Sequence, residues 1–344
     1  MKKLIIIFLV LTLYLPEISV AQIESDTNIQ AEEQSIHLSA DVKRCGAMEH
    51  LQWRKSQDAG LEKRMQKIES DMQFWLLNHS EQKRQMVLTI PIVVHVVYKT
   101  ASQNISDAQI KSQIDVLNED YNRVNADTTN TPSVWKNIAS GVNVQFCLAS
   151  RTPDGYPTNG IIRKQTSVSL FSSTNDAVKH SSQGGDDAWP ASDYMNIWVC
   201  NLGSGILGYG EFPGGDPSID GVVVLFKNFG RMGVVVPPYH KGRTTTHEFS
   251  HCFNLYHIWG DDNGACTGTD YCADTPNQAN ASQGCPTFPL TDSCTTSSPG
   301  VMFMNYMDYS VDTCVNMFTQ NQIQRIIACL NSLRSSRFAF GTTI

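Results

Sequence analysis

The chain has 344 residues, 41% of them apolar, so it can bury a sizeable core as one large domain or two small ones. Its 33 acidic residues outnumber its 26 basic residues, and the formal net charge is −7. This balance offers no broad cationic surface to phosphate backbones, so we expect no nucleic-acid partner.

The first 21 residues have the layout of a secretory signal. Two lysines follow Met1, an apolar run covers residues 4–15, and small residues precede an expected cleavage site after Ala21. A membrane anchor is the weaker alternative, because the run is shorter than the ~20 apolar residues of a spanning helix. We therefore expect a secreted, extracellular protein without stable membrane association once the signal is removed.

The next part of the chain reads as a pro-segment followed by the main domain. Residues 22–60 are polar and charged with an acidic opening, and we interpret them as the pro-segment. A helix-prone stretch around residues 61–77 leads into the main domain, which we assign to residues 61–344.

The main domain has the pattern of an α/β fold. β-Branched residues at 90–98 indicate a buried strand, and Ser106 is placed to cap a helix whose apolar residues recur at steps of three and four. A second helix is expected at 244–256. A last helix is expected from Thr319, which forms a capping box with Gln322. Further strands are expected at residues 142–148, 195–200 and 221–226.

The cysteines indicate cross-links in the last third of the chain. Ten cysteines in an exported protein favour disulfides, because compartments outside the cytoplasm are oxidising. Several lie in a long segment between the second and last helices that shows no sustained period. Such loops are uncommon unless they are functional or cross-linked. Spacing alone leaves the pairing open.

The strongest chemical signal is the group His247, Glu248, His251 and His257. Residues four apart share one helix face, so His247 and His251 can bind one metal ion. A continuing helix would turn His257 away from that ion. Asn254 tolerates left-handed dihedrals, and we predict that it ends the helix and lets the chain bend back. The alternative of solvent-facing histidines on an ordinary helix does not account for these offsets.

This donor set is typical of catalytic zinc. Three imidazoles and a water give a four-coordinate Zn²⁺ site with one exchangeable position, whereas a structural site would be closed. Zinc lowers the pKa of its bound water and polarises a carbonyl. Glu248 is placed to act as general base and then as general acid.

Residues 247–257 resemble the extended zinc signature of the metzincin clan, and the segment NYMDY at 305–309 resembles the clan's Met-turn. Within the clan, HIWGD at 257–261 and ADTP at 273–276 are most similar to the pappalysin family. The resemblance implies a mixed twisted sheet with a backing helix and an active-site helix in an upper subdomain. It also implies an irregular, disulfide-held lower subdomain that ends in a C-terminal helix. A monomer is expected.

The resemblance implies roles for four further residues. Met307 would form the hydrophobic floor under the zinc, and the Tyr309 hydroxyl would help to stabilise the tetrahedral intermediate. Asp312 would line the pocket for the side chain after the scissile bond and select Arg or Lys by charge. Cys45 would act as a cysteine switch that fills the open zinc position in a latent form. The alternative for Cys45 is an unpaired cysteine without a role.

The resemblance also implies a calcium site and two disulfides in the irregular region. Carboxylate, hydroxyl and backbone oxygens suit Ca²⁺, and the alternative is a disulfide-held loop without metal. The implied pairs are Cys266 with Cys294 and Cys285 with Cys314. The implied calcium ligands are Thr267, Asp270, Ala273 and Thr275.

The function that these features predict is a secreted zinc endopeptidase. It would be made as a latent zymogen and would hydrolyse proteins or peptides before Arg or Lys. One alternative is a secreted binding protein that keeps the fold without turnover, and another is a zinc amidase acting on non-protein substrates. The intact Glu248 argues against the first alternative, and the Met-turn with Asp312 argues against the second.

Overall fold

The computed structural model describes residues 42–79 and 87–332. The predicted signal at 1–21 and the first part of the predicted pro-segment lie outside these residues. Within the described ranges, no helix combines the length and apolar character that crossing a membrane requires.

Two helices precede the sheet. Helix α1 covers Ala47–Gln57 and helix α2 covers Leu61–His79. The sequence indicated α2 but not α1, whose buried residues are Ala47, His50 and Leu51 and so give no apolar stripe. A short turn separates the helices.

A six-stranded, mostly parallel sheet lies at the core of the described residues. The strands are β1 Leu88–Tyr98, β2 Ala139–Ser140, β3 Val144–Leu148, β4 Ile161–Gln165, β5 Met195–Cys200, β6 Gly208–Gly210, β7 Gly221–Leu225 and β8 Phe318–Thr319, of which β2 and β8 pair separately. Within the large sheet, β1 is parallel to β3, β4 and β5, β5 is parallel to β7, and β6 is antiparallel to β7. The central strands are almost entirely buried, which explains their continuous apolar runs. The α/β fold class is therefore confirmed.

The remaining helices carry the predicted signals with small shifts in their bounds. Helix α3 covers Asp107–Tyr121 and is capped by the Ser106 hydroxyl. Helix α4 covers Arg243–Cys252, so the predicted range 244–256 extended four residues too far at its end. Helix α5 covers Gln320–Ser332. Before it, the Thr319 N–H donates to the Gln322 side-chain oxygen at 2.9 Å, and the Gln322 N–H donates to the Thr319 hydroxyl at 3.2 Å, which completes the predicted capping box.

The segment between α4 and α5 is irregular apart from short turns and the small strand β8. Disulfides join Cys266 to Cys294 and Cys285 to Cys314, the pairing that the family resemblance implied. These cross-links restrain a segment that has little regular hydrogen bonding of its own.

A buried ion pair fastens α2 to α5 and to the end of α4. The guanidinium of Arg325 makes two hydrogen bonds of 2.8 Å to the carboxylate of Glu69 and a third of 3.0 Å to the Asn254 carbonyl. The side chains are 1% and 15% exposed, so water does not replace either partner. This contact holds the turn after α4 against the last helix.

We predict that Arg325→Met destabilises the protein by about 3 kcal/mol, because it leaves a partly buried carboxylate without its partner. Urea unfolding followed by circular dichroism measures the change. The matched control is Arg231→Met, which removes an equally bidentate pair with Glu119 whose side chains are 39% and 35% exposed. That pair should contribute under about 1 kcal/mol. Equal losses in the two variants would contradict the assignment.

Candidate metal centre

Strand β6 lies unusually close to helix α4. A Cβ atom on Gly210 would sit 2.3 Å from the Glu248 carbonyl oxygen, and one on Gly208 would sit 2.9 Å from the Glu248 Cγ. Only glycine permits this approach. The glycines of β6 therefore let the sheet edge run directly beside the helix that carries the candidate ligands.

Helix α4 ends in a Schellman turn. Asn254 has φ +62°, its N–H bonds to the His251 carbonyl at 2.9 Å, and the Leu255 N–H bonds to the Ser250 carbonyl at 3.0 Å. The chain thus leaves the helix axis within two residues of Cys252. This is the break that the sequence required if His257 is to approach His247 and His251.

Each of the three histidines is oriented by a hydrogen bond to its Nδ1 atom. The acceptors are the Tyr306 carbonyl for His247 at 2.7 Å and the Leu255 carbonyl for His251 at 2.8 Å. For His257 the acceptor is the Asp261 carboxylate at 2.9 Å. Because these oxygens can only accept, Nδ1 carries the proton and Nε2 is left with its lone pair.

Four donor groups converge at this point. The ligand atoms of Cys45, His247, His251 and His257 all lie within 4.8 Å of one another, and all four residues are buried. The Nε2 atoms of His247 and His257 are 3.2 Å apart. Two nitrogens bound to a tetrahedral zinc at about 2.1 Å would be separated by about 3.4 Å. The donor set and its spacing therefore fit a zinc ion.

The electrostatics of the cluster favour neutral imidazoles. Burial and the neighbouring imidazoles lower the pKa of His247 and of His251 well below the usual range. Burial and the Glu248 carboxylate raise the pKa of the Cys45 thiol. A cation bound among these groups would offset that penalty on the thiolate.

Glu248 lies beside the donor cluster without belonging to it. Its Oε2 atom is 3.3 Å from the Cys45 sulfur, and the side chain is fully buried. Burial raises the pKa of Glu248 to about 8, even though Cys45 and Arg44 act to lower it. A carboxyl group with such a pKa can both accept and return a proton near neutral pH.

The predicted Met-turn residues lie around the same cluster. Met307 is fully buried, and the carbonyl of the residue before it orients His247. The Tyr309 hydroxyl donates to the Cys45 carbonyl oxygen at 3.3 Å, and its ring centroid is 5.1 Å from that of His257.

Asp312 is fully buried, and its carboxylate faces the side chain of Arg44, the residue before Cys45. Its Oδ2 atom accepts the Lys241 N–H at 2.7 Å. Its Oδ1 atom is 3.6 Å from the guanidinium of Arg44, which also donates to the Ser310 carbonyl. The carboxylate thus pairs with an arginine from the segment that supplies Cys45.

Of the four predicted calcium ligands, only Asp270 and Thr275 are joined by a hydrogen bond. Asp270 accepts from the Thr275 hydroxyl at 2.8 Å, whereas the contacts of Thr267 are with Asp262. The Ala273 N–H donates to Asn321 at 3.0 Å. Burial raises the pKa of Asp270 to about 6.

Comparison with known proteins places this geometry in a family. The family model for pregnancy-associated plasma protein-A matches residues 179–331. An extracellular metalloprotease of Arthroderma otae is 31% identical over 259 residues, covering 72% of this chain and 80% of the relative. The chain belongs to the pappalysin family of metalloproteases. The resemblance stated from sequence is confirmed.

Solved structures of this family agree with the fold. Mature mirolysin of Tannerella forsythia, in complex with a cleaved peptide, is 53% identical with a TM-score of 0.73, covering 74% of this chain and 97% of that one. A promirolysin variant from the same organism is 49% identical with a TM-score of 0.79, covering 86% and 96%. Like these proteins, the chain is a metalloprotease with a mixed α/β fold.

Two features of this pappalysin site escaped sequence reasoning. The ion pair of Arg44 with Asp312 joins residues far apart in the chain, and no local sequence pattern predicts it. The contact of Asp261 with His257 had a usable signal, since a carboxylate four residues after a candidate ligand is a common orienting group.

We predict that Asn254→Val weakens metal retention, because a β-branched residue at φ +62° costs about 1–2 kcal/mol and strains the turn that brings His257 back. Asn254→Gly is the matched control, since glycine adopts this conformation freely. Zinc content after dialysis against a weak chelator measures the effect. Equal retention by both variants would show that the turn does not govern the site.

Proposed function

We propose that this chain is the secreted precursor of a zinc endopeptidase that hydrolyses protein or peptide substrates before Arg or Lys. The observation that carries the proposal is the convergence of three histidines and Cys45 within 4.8 Å. Cys45 would be the fourth donor to zinc in a closed, latent centre, and its removal would leave room for water.

The residues around the centre supply the rest of the chemistry. When bound, zinc would acidify water and polarise the scissile carbonyl. Glu248 accepts the proton of that water and passes it to the leaving amine. Tyr309 is positioned, through its hydroxyl, to donate to the oxyanion once the Cys45 carbonyl has left.

Specificity for basic residues is supported by the contact of Asp312 with Arg44. The carboxylate is buried, and one of its oxygens faces the guanidinium at 3.6 Å. A substrate arginine or lysine after the scissile bond would take the place of Arg44.

The proposed processing divides the chain into a signal at 1–21, a pro-segment at 22–60 and a catalytic domain at 61–344. The turn between α1 and α2 is exposed at Ala59 and Gly60, and Lys63 and Arg64 beyond it are exposed too. A cut before a basic residue between Arg54 and Arg64 would free the segment that carries Cys45. A calcium ion held by Thr267, Asp270, Ala273 and Thr275 stays a prediction of the resemblance.

Glu248→Gln tests the catalytic assignment. We expect bound zinc to be retained while kcat falls by about 10² to 10⁴, because the base is lost but no ligand is removed. Metal analysis and peptide cleavage on the same preparation provide both readings. Turnover at the original rate would refute the role of Glu248.

Asp312→Asn tests the origin of the specificity. The variant keeps the size of the side chain but removes its charge, so the preference for Arg or Lys after the scissile bond should fall by at least about tenfold. Mass spectrometry of a digested peptide mixture reads the profile. An unaltered profile would rule out Asp312 as the selecting group.

Cys45→Ala tests latency. Removal of the sulfur donor should leave the catalytic position accessible in the uncut chain and shorten the lag before activity appears. Cys147→Ala is the control, because it removes a thiol on strand β3 that is not part of the group of four metal donors. A lag of unchanged length in Cys45→Ala would contradict the switch.

A further inference from the structure

A second buried cluster of charged side chains lies beside the metal centre and has no part in the proposed chemistry. It contains His50 of α1, Asp176 and Glu211, whose ligand-type atoms lie within 4.8 Å of one another. Lys179 is fully buried with them, 3.0 Å from Asp176 and 3.4 Å from Glu211. A buried group of this kind needs a chemical explanation.

Hydrogen bonds hold both ring nitrogens of His50. Its Nδ1 atom lies 2.6 Å from the Ser173 carbonyl oxygen and its Nε2 atom lies 2.5 Å from the Glu211 carboxyl group. A carbonyl can only accept, so Nδ1 donates to Ser173 and the opposite edge of the ring faces Glu211.

Helix α1 supplies cationic partners that the rest of the cluster lacks. Asp176 and Glu211 share the single ammonium of Lys179, whereas α1 adds His50 at 2.5 Å and Arg54 at 3.6 Å from Glu211. The Oδ2 atom of Asp176 is buried, has no hydrogen-bond partner among the described residues and lies 3.8 Å from His50. Without α1 the pocket would hold one uncompensated negative charge.

The occupant that fits this pocket is a cationic side chain rather than a metal ion. A 2.5 Å contact between His50 and Glu211 leaves no room for an ion between them, and the ammonium of Lys179 would repel one. The Tyr209 ring, whose centroid is 4.6 Å from that of His50, provides an aromatic wall. An aromatic wall with carboxylates suits Arg, Lys or His.

The cluster lies along the strand edge that the chain follows after Cys45, whereas Asp312 is contacted by the residue before Cys45. The Gly46 N–H donates to the Gly208 carbonyl at 2.8 Å, and Glu211 follows three residues later along the sheet edge. That separation is about 10 Å, or about three residues of extended peptide. Arg44, on the other side of Cys45, faces Asp312.

We propose that Asp176 and Glu211 form a second specificity subsite in the active enzyme. It binds a basic side chain of the substrate about three residues before the scissile bond, and His50 fills it in the precursor. This inference rests on the proposed function, because it assumes that α1 leaves and that the side chain after the scissile bond faces Asp312.

The test uses the full-length chain after activation and peptides with Arg after the scissile bond. Arg, Ala or Asp is placed in turn at each of the positions before the bond. We expect kcat/KM for Arg to exceed that for Ala by about tenfold at one position, with Asp lowest. Flat profiles at every position would overturn the subsite. Absence of cleavage of all peptides would overturn the proposed function as well.

Two variants separate binding from structure. Glu211→Gln should narrow the Arg-to-Ala ratio, an effect that general destabilisation would not produce, because both peptides report on the same folded enzyme. His50→Gln in the full-length chain should shorten the lag before activity, and the activated enzyme should keep the parent profile because residue 50 has been removed. An unchanged ratio in Glu211→Gln, or an unchanged lag in His50→Gln, would contradict the assignment.

Discussion

Three unprotonated imidazole nitrogens in one buried space repel one another unless a cation lies between them, and the rest of the site is arranged around that requirement. Hydrogen bonds to Nδ1 point each lone pair inward. The left-handed turn at Asn254 brings the His257 ring back toward the other two, and the hydrogen bond from Arg325 to the Asn254 carbonyl holds that turn in place. Glycines on β6 allow the sheet edge to approach the same helix.

Three side chains of the segment before α2 contact charged or metal-binding groups of the rest of the protein. Arg44 faces the Asp312 carboxylate, Cys45 joins the three histidines, and His50 completes the cluster of Asp176 and Glu211. At each of these positions, the side chain of the segment has the charge or the ligand type that its partner requires. In the proposed precursor, latency thus arises from three local matches of charge or ligand type and not from bulk alone.

Much of this could be predicted from sequence because its signals are local. The histidine spacing, the break at Asn254, the capping box at Thr319 and the buried strands depend on neighbours a few residues apart. Helix α1 was missed because it buries a histidine without an apolar stripe, and β6 was missed because its Gly-Tyr-Gly segment has low strand propensity. The second charge cluster joins His50 to Glu211, 161 residues away, and no pattern reaches that far.

The most direct test of the four-donor zinc centre is zinc-edge X-ray absorption on the purified full-length chain with its metal content measured. We expect one zinc per chain with three nitrogen ligands at about 2.0–2.1 Å and one sulfur ligand at about 2.3 Å. After activation, an oxygen ligand should replace the sulfur ligand. A spectrum with fewer than three nitrogen ligands, or without sulfur in the uncut chain, would show that these four residues do not form the zinc site.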